Sequence, residues 1–229
     1  MYMTERGSEN LNKAVFPGVG IYGIPELQAT QIKTELRGEK GKPTRIEYIP
    51  FNYAKGARNR ERKSIHFFID DYQFNRLWSH IERYVPLLSG FCQVLTPDFS
   101  IYTDYPVAMQ IYNHYRKHWI GAYLQEKGVD VIPTIAWGDH DSFSWCFDGE
   151  PVGGCVAVSS VGTQQSKESR KLFLEGYKEM ISRLNPSEIL FYGNVPDGCS
   201  GNIIQIKSFQ ERLKEDKKNG RKRISIENR

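Results

Sequence analysis

This 229-residue sequence has four cysteines, Cys92, Cys146, Cys155 and Cys199, and no two of them stand in C-x-x-C spacing. That absence argues against a zinc knuckle or a dithiol redox centre, so the cysteines read as small buried apolar side chains in a reducing compartment. Nor is there a stretch approaching the roughly 18 to 20 apolar residues that cross a bilayer. The opening MYMTERGSENLNK is polar, with no apolar segment ahead of a small-residue cleavage site. These features predict a cytoplasmic protein with no membrane partner. The sequence also lacks the G-x-x-x-x-G-K-[ST] phosphate loop and the G-x-S-x-G nucleophile elbow. The glycines of GVGIYG, Gly18, Gly20 and Gly23, follow no strand signal and read as a turn. No motif names a cofactor.

What is present describes a globular protein. Hydrophobic residues make up 39% and aromatics 13% of a chain long enough for one substantial core. The net charge of +4 is uneven: from Lys207 onward nine Lys/Arg face four Asp/Glu, which is +5 and leaves about −1 for residues 1 to 206. A second basic run, KGARNRERK at Lys55 to Lys63, carries five Lys/Arg against Glu61 alone.

Patterning divides the chain into an irregular arm at 1–44, an α/β domain at 45–206 and a basic C-terminal helix and tail at 207–229. Strands are expected at RIEYIPF, SIHFFI, FCQVL, VDVIPTIAW, GGCVAVSSVG and EILFYG. Helices are expected from Asp70 or Asp71, with Phe74, Leu77, Trp78 and Ile81 inward, and from Pro106 to Gly128, with the stripe Ala108, Ile111, Tyr112, Tyr115, Trp119 and Ala122 inward. Two more are expected at Lys167 to Leu184 and at Lys207 to Lys218. Strand and helix alternate, which predicts a mostly parallel sheet with covering helices. The form is that of an incomplete (β/α) barrel, with an open doubly wound sheet as the alternative.

The ordered series FFIDDYQF, TPDFSIY-x-DYP, NHYRKHWIGAYLQEKG, VIPTIAW, GGCVAVSSVG and ILFYG resembles an uncharacterised family, domain of unknown function 4417, over roughly Tyr48 to Gly193. The resemblance implies a setting in bacteria and their phages, and it supplies no activity.

The chemistry therefore has to come from position. Parallel α/β sheets bind ligands at the carboxyl ends of their strands. Residues expected at that rim are Asp70 and Asp71, Asp98 and Ser100, Trp137 with Asp139, His140 and Asp141, Ser159, Ser160 and Thr163, and Tyr192 with Asn194. Asp98, Ser100, Asp139 and His140 are the catalytic candidates, as acid, base or ligands of a divalent metal. Asp70, Trp137, Ser159, Ser160, Thr163, Tyr192 and Asn194 are the ligand-binding candidates, with the SSVGTQQS turn able to hold a phosphate at a helix start. Asp98 and Asp104 can equally cap the helix that follows. His114 and His118, one helical turn apart, have a spacing that permits joint metal ligation.

Two functions fit these residues. One is an enzyme acting on a phosphate-bearing small molecule or nucleotide at the rim. The other is a non-catalytic module that binds nucleic acid or a protein through Lys55, Arg58, Arg60, Arg62, Arg221, Lys222 and Arg223. The oligomeric state is not legible.

Overall fold

The computed structural model describes residues 13–37, 43–208 and Glu211. The helix expected at Lys207 to Lys218 and the basic tail, with Arg221, Lys222 and Arg223, lie mostly or wholly outside these residues. Eleven described strands are numbered in chain order. Two antiparallel pairs come first, β1 (Gly18–Val19) with β2 (Ile24–Pro25) and β3 (Glu35–Arg37) with β4 (Pro43–Arg45). GVGIYG is thus a hairpin, with Gly20 and Gly23 at positive φ in its turn. It leads into a second strand and not a helix, so it offers no dinucleotide cradle.

The remaining strands are β5 (Glu47–Pro50), β6 (Lys63–His66), β7 (Gln93–Leu95), β8 (Val131–Ile132), β9 (Cys155–Ser159), β10 (Glu188–Tyr192) and β11 (Ile203–Ile206). β5 to β8 form one parallel ladder and β9 to β11 another. A parallel bridge between Thr134 and Ala157 connects the two. The strands therefore lie side by side in the order in which the chain visits them. β5 and β11 are not paired; a cleft lined by Arg45, Glu47, Tyr48, Ile204 and Ile206 lies between them. The fold is a mixed α/β architecture with an open, parallel sheet and no closed barrel among the described residues.

Burial on both faces explains the composition of these strands. In β9 Cys155 to Val158, and in β10 Ile189 to Tyr192, are buried. β8 is much shorter than VDVIPTIAW suggests, because Pro133 has no N–H to donate to a ladder. Two bonds restore the connection there: Ile135 N–H donates to Ala157 O (2.8 Å) and Ala157 N–H to Pro133 O (2.7 Å). β11 lies beyond the last strand signal noted above, in the stretch IIQI that follows Gly201 and Asn202.

Among the described residues three α-helices cover the sheet: α1 (Arg76–Leu88), α2 (Val107–Glu126) and α3 (Lys167–Leu184). Phe74, Leu77, Trp78 and Ile81 are buried as expected. α1 starts later than Asp70, with Asn75 at its N-cap, and Asp104 does not cap α2, whose N-cap is Pro106. α2 also differs from its expected stripe. Ala108 and Tyr112 are exposed, and the inward face carries Gln110, Asn113, His114, Lys117, His118 and Gly121. Gly121 is where α2 comes nearest the sheet, since a Cβ there would stand 2.8 Å from both Thr96 Cγ2 and Leu27 Cδ2.

Residues 14–28 lie along α2, and residues 30–33 run across the amino ends of the strands. Lys33 N–H donates to Gln93 Oε1 (2.8 Å), Gln93 Nε2 to Gln31 O (2.8 Å) and Ile32 N–H to Glu188 Oε2 (3.3 Å). Leu27 N–H donates to Gly149 O (2.9 Å), and Lys33 pairs with Asp130 (2.6 Å). This segment covers one end of the sheet and leaves the carboxyl ends open.

Lys117 secures the middle. Its buried ammonium donates to Thr134 O (2.8 Å), at the join of the two ladders, and to Glu150 Oε1 (2.6 Å). Removing one member of such a pair leaves the other charge stranded in the core. Lys117→Met should therefore cost about 3–5 kcal/mol in chemical denaturation. Lys117→Met combined with Glu150→Gln should recover part of that loss; a double-variant cost equal to the sum of the two single-variant costs would show that the pair is not coupled.

Candidate functional site

At the carboxyl ends a cavity of about 450 Å³ is lined by residues from four successive strand exits. Asp70 and Asp71 follow β6, Asp98 and Ser100 follow β7, Ile135 and Trp137 follow β8, and Ser159 ends β9, with Gly162 and Thr163 after it. Seven of the residues expected at the rim, Asp70, Asp71, Asp98, Ser100, Trp137, Ser159 and Thr163, thus share one space.

The exit of β7 is held firmly before it turns. Thr134 N–H donates to Thr96 Oγ1 (2.7 Å) and Thr134 Oγ1 to Thr96 O (2.9 Å). Pro97 follows and directs Asp98 toward the cavity. The Asp98 carboxyl makes no protein hydrogen bond among the described residues. Burial pushes its pKa up to about 7; the Lys117 ammonium opposes that rise and the neighbouring Asp71 adds to it. A carboxyl that gains and loses its proton near neutrality, without a structural partner, is suited to general acid–base work. Asp98 is therefore not a helix cap.

Asp71 has a different task. It accepts from Ser100 N–H (3.0 Å) on one oxygen and from Ser100 Oγ (2.9 Å) on the other. Asn113 Nδ2 holds the Ser100 carbonyl from α2 (2.6 Å). The Ser100 hydroxyl is thus fixed with a proton acceptor in contact. Trp137 forms the apolar wall, its ring 5.3 Å from that of Phe173, above Gly176 of α3. A Cβ at Gly176 would collide with the Trp137 indole.

The turn after β9 closes the other side. Ser159 Oγ accepts from Val161 N–H (3.1 Å), Gly162 takes φ 84°, and Thr163 Oγ1 donates to Ser160 O (2.9 Å). Ser166 caps α3 by accepting from Ser169 N–H (3.0 Å). Ser160 is buried and its hydroxyl is bonded to the Asn194 carbonyl.

The other expected residues stand elsewhere. Tyr192 is buried in a stack with Phe68, ring centroids 4.7 Å apart, and the Asn194 side chain is exposed. Asp139 accepts from Ser142 N–H (3.3 Å) at the start of a short 3-10 helix, His140–Ser144. His140 is exposed and pairs with Glu175 (3.1 Å), and Asp141 is exposed. None of these lines the cavity. In the basic run, Arg60 donates to Lys55 O (2.9 Å) and lies over Phe91 ahead of β7, at the end of the sheet away from the cavity. Lys63 pairs with Glu47 (2.6 Å) and Arg62 with Glu61 (3.9 Å), while Arg58 is exposed.

Two residues were missed from sequence: Lys117, whose field reaches Asp98, and Glu150, which meets both Lys117 and His118. The signal for Lys117 was available in the polar spacing 110, 113, 114, 117, 118 along α2. Glu150, in FDGEPVGG, carried none.

The family described as Domain of unknown function (DUF4417) matches residues 16–210. The chain is 36% identical over 204 residues to the "Gene 1 protein" of Mycobacterium phage D29, covering 86% of this chain and 70% of that protein. It is 38% identical over 197 residues to the "Gene 1 protein" of Mycobacterium phage L5, covering 86% and 82%. No solved structure matches. No described helix is long and apolar enough to cross a membrane.

The raised pKa of Asp98 has a stability consequence of definite sign. The folded state keeps the proton up to about pH 7, whereas the unfolded chain releases it near pH 4, so folding loses stability as pH rises between the two values. Contact with cavity solvent reduces the full linkage to about 1–3 kcal/mol. Asp98→Asn should therefore match the wild type near pH 4, exceed it in stability above pH 7, and flatten the intervening slope in pH-dependent urea unfolding. An unchanged slope would mean that Asp98 ionises as an ordinary exposed carboxyl.

Proposed function

The chain belongs to the Domain of unknown function (DUF4417) family, and we propose that it is an enzyme acting on a phosphate-bearing small molecule or nucleotide at the carboxyl-end rim. One observation carries the reading: Asp98, with a pKa near 7 and no hydrogen bond among the described residues, faces a cavity whose other polar groups come from its own strand exit and from those of β6 and β9. In this reading Asp98 exchanges a proton with the ligand. Ser100 presents its hydroxyl, with Asp71 in place to take the hydrogen. Trp137 and Phe173 offer an apolar face to a base or ring, and the Ser159–Thr163 turn receives the phosphate ahead of α3.

The lining also sets a condition. It contains Asp70, Asp71 and Asp98 but neither Lys nor Arg. A phosphate entering among carboxylates needs its charge offset, so the ligand is expected to bind as a complex with a divalent cation such as Mg²⁺.

The test is a thermal-shift and calorimetric screen of nucleoside mono-, di- and triphosphates and sugar phosphates, with and without Mg²⁺. At least one should bind with a stoichiometry of one, more tightly with Mg²⁺. Asp98→Asn should abolish turnover of that ligand, and Trp137→Ala should weaken its binding by roughly tenfold or more, about 1.4 kcal/mol. If no phosphate-bearing ligand binds, or if Asp98→Asn turns over normally, the proposal fails.

A further inference from the structure

Outside the rim, the inward face of α2 holds a second constellation that the proposed reaction does not use. His114 and His118 lie one turn apart, Glu150 reaches them from the segment before β9, and all three are buried. One donor atom from each lies within 4.8 Å of those from the other two.

Hydrogen bonding fixes what these atoms offer. His118 Nδ1 is 2.9 Å from the Pro25 carbonyl and His114 Nε2 is 3.1 Å from the Asp148 carbonyl. A carbonyl only accepts, so each of these nitrogens carries the ring hydrogen. The other nitrogen of each neutral ring then bears a lone pair. Among the described residues His114 Nδ1 has no hydrogen-bond partner, nor has Glu150 Oε2, although both are buried. His118 Nε2 is 2.9 Å from Glu150 Oε1, so two acceptors face each other. Left uncompensated, buried polar atoms of this kind each cost a core substantially.

A cation answers all three deficits together. Each imidazole already donates its remaining N–H to a backbone carbonyl, the support that orients metal-bound histidines. Lys117 bonds one oxygen of Glu150 and leaves Oε2 without a partner. We propose that His114, His118 and Glu150 bind one divalent transition-metal ion of the zinc class. Two imidazoles and a carboxylate form a donor set suited to Zn²⁺. None of the three lines the rim cavity, so the ion is a structural tie between α2, the Asp148–Glu150 segment and β2, independent of the rim reading.

The competing arrangement is a proton shared between His118 and Glu150, with no metal. To separate the two, tag-free full-length protein is loaded with Zn²⁺ or Co²⁺, dialysed, and assayed by elemental mass spectrometry, visible absorption and melting. The proposal expects one retained ion per chain, a visible Co²⁺ band of low coordination number, and a melting temperature that falls with chelator and recovers with Zn²⁺. His114→Ala and Glu150→Gln should lose the ion, whereas His80→Ala, in the exposed part of α1, should keep it. Wild-type protein that retains no metal and melts identically with and without chelator overturns the proposal, however the variants fold.

Discussion

A lysine ammonium inside a protein core is tolerated only when other groups replace the water it has lost. Lys117 is such a group, and the rest of the structure is arranged around it. Its two acceptors belong to different parts of the fold: Thr134 O at the join of the two ladders, and Glu150 on the segment leading to β9. The join needs that support because Pro133 removes a ladder hydrogen bond where β8 should meet β9. The same charge acts at a distance, drawing the Asp98 pKa down against its burial and disfavouring protonation of His114 and His118. The join of the two ladders, the rim carboxyl and the buried histidine pair are therefore all touched by one charge.

The two ends of the sheet are treated differently. At the amino ends, residues 30–33 occupy the backbone and side-chain groups of Gln93, Asp130, Cys155 and Glu188. At the carboxyl ends nothing comparable crosses the described strands, and the exits splay around a cavity. Functional groups gather there because each exit is anchored behind its tip, Asp98 by the Thr96–Thr134 pair and Ser100 by Asp71 and Asn113. The rim side chains can then be polar without weakening the core.

Much of the strand framework was legible because buried parallel strands are continuous apolar runs, as in CVAV and ILFY, and because Pro, Gly and Asp punctuate them. The rim followed from strand direction alone, which is why Asp70, Asp98, Ser100, Trp137, Ser159 and Thr163 were found together. Tyr192 and Asp139 were misplaced relative to the cavity for local reasons. Tyr192 points into an aromatic stack, and Asp139 satisfies a 3-10 helix start. α2 was the larger misreading. Trp119 and Ala122 of its apolar stripe are buried as expected, yet tertiary contacts also drew a polar face inward, where Lys117, His114 and His118 found partners 17 to 93 residues away in sequence. Periodicity reports hydrophobicity, and a core stabilised by ion pairs and carbonyl contacts does not display it.

The account rests on Asp98 being a half-buried carboxyl with no hydrogen bond among the described residues, in the field of Lys117, that changes charge at neutral pH. Carbon-13 NMR of its side-chain carboxyl, followed from about pH 4 to about pH 9 in the wild-type protein, reads that property directly. The account predicts a single titration with a midpoint close to 7. A midpoint near 4, the value of an ordinary aspartate, would contradict it.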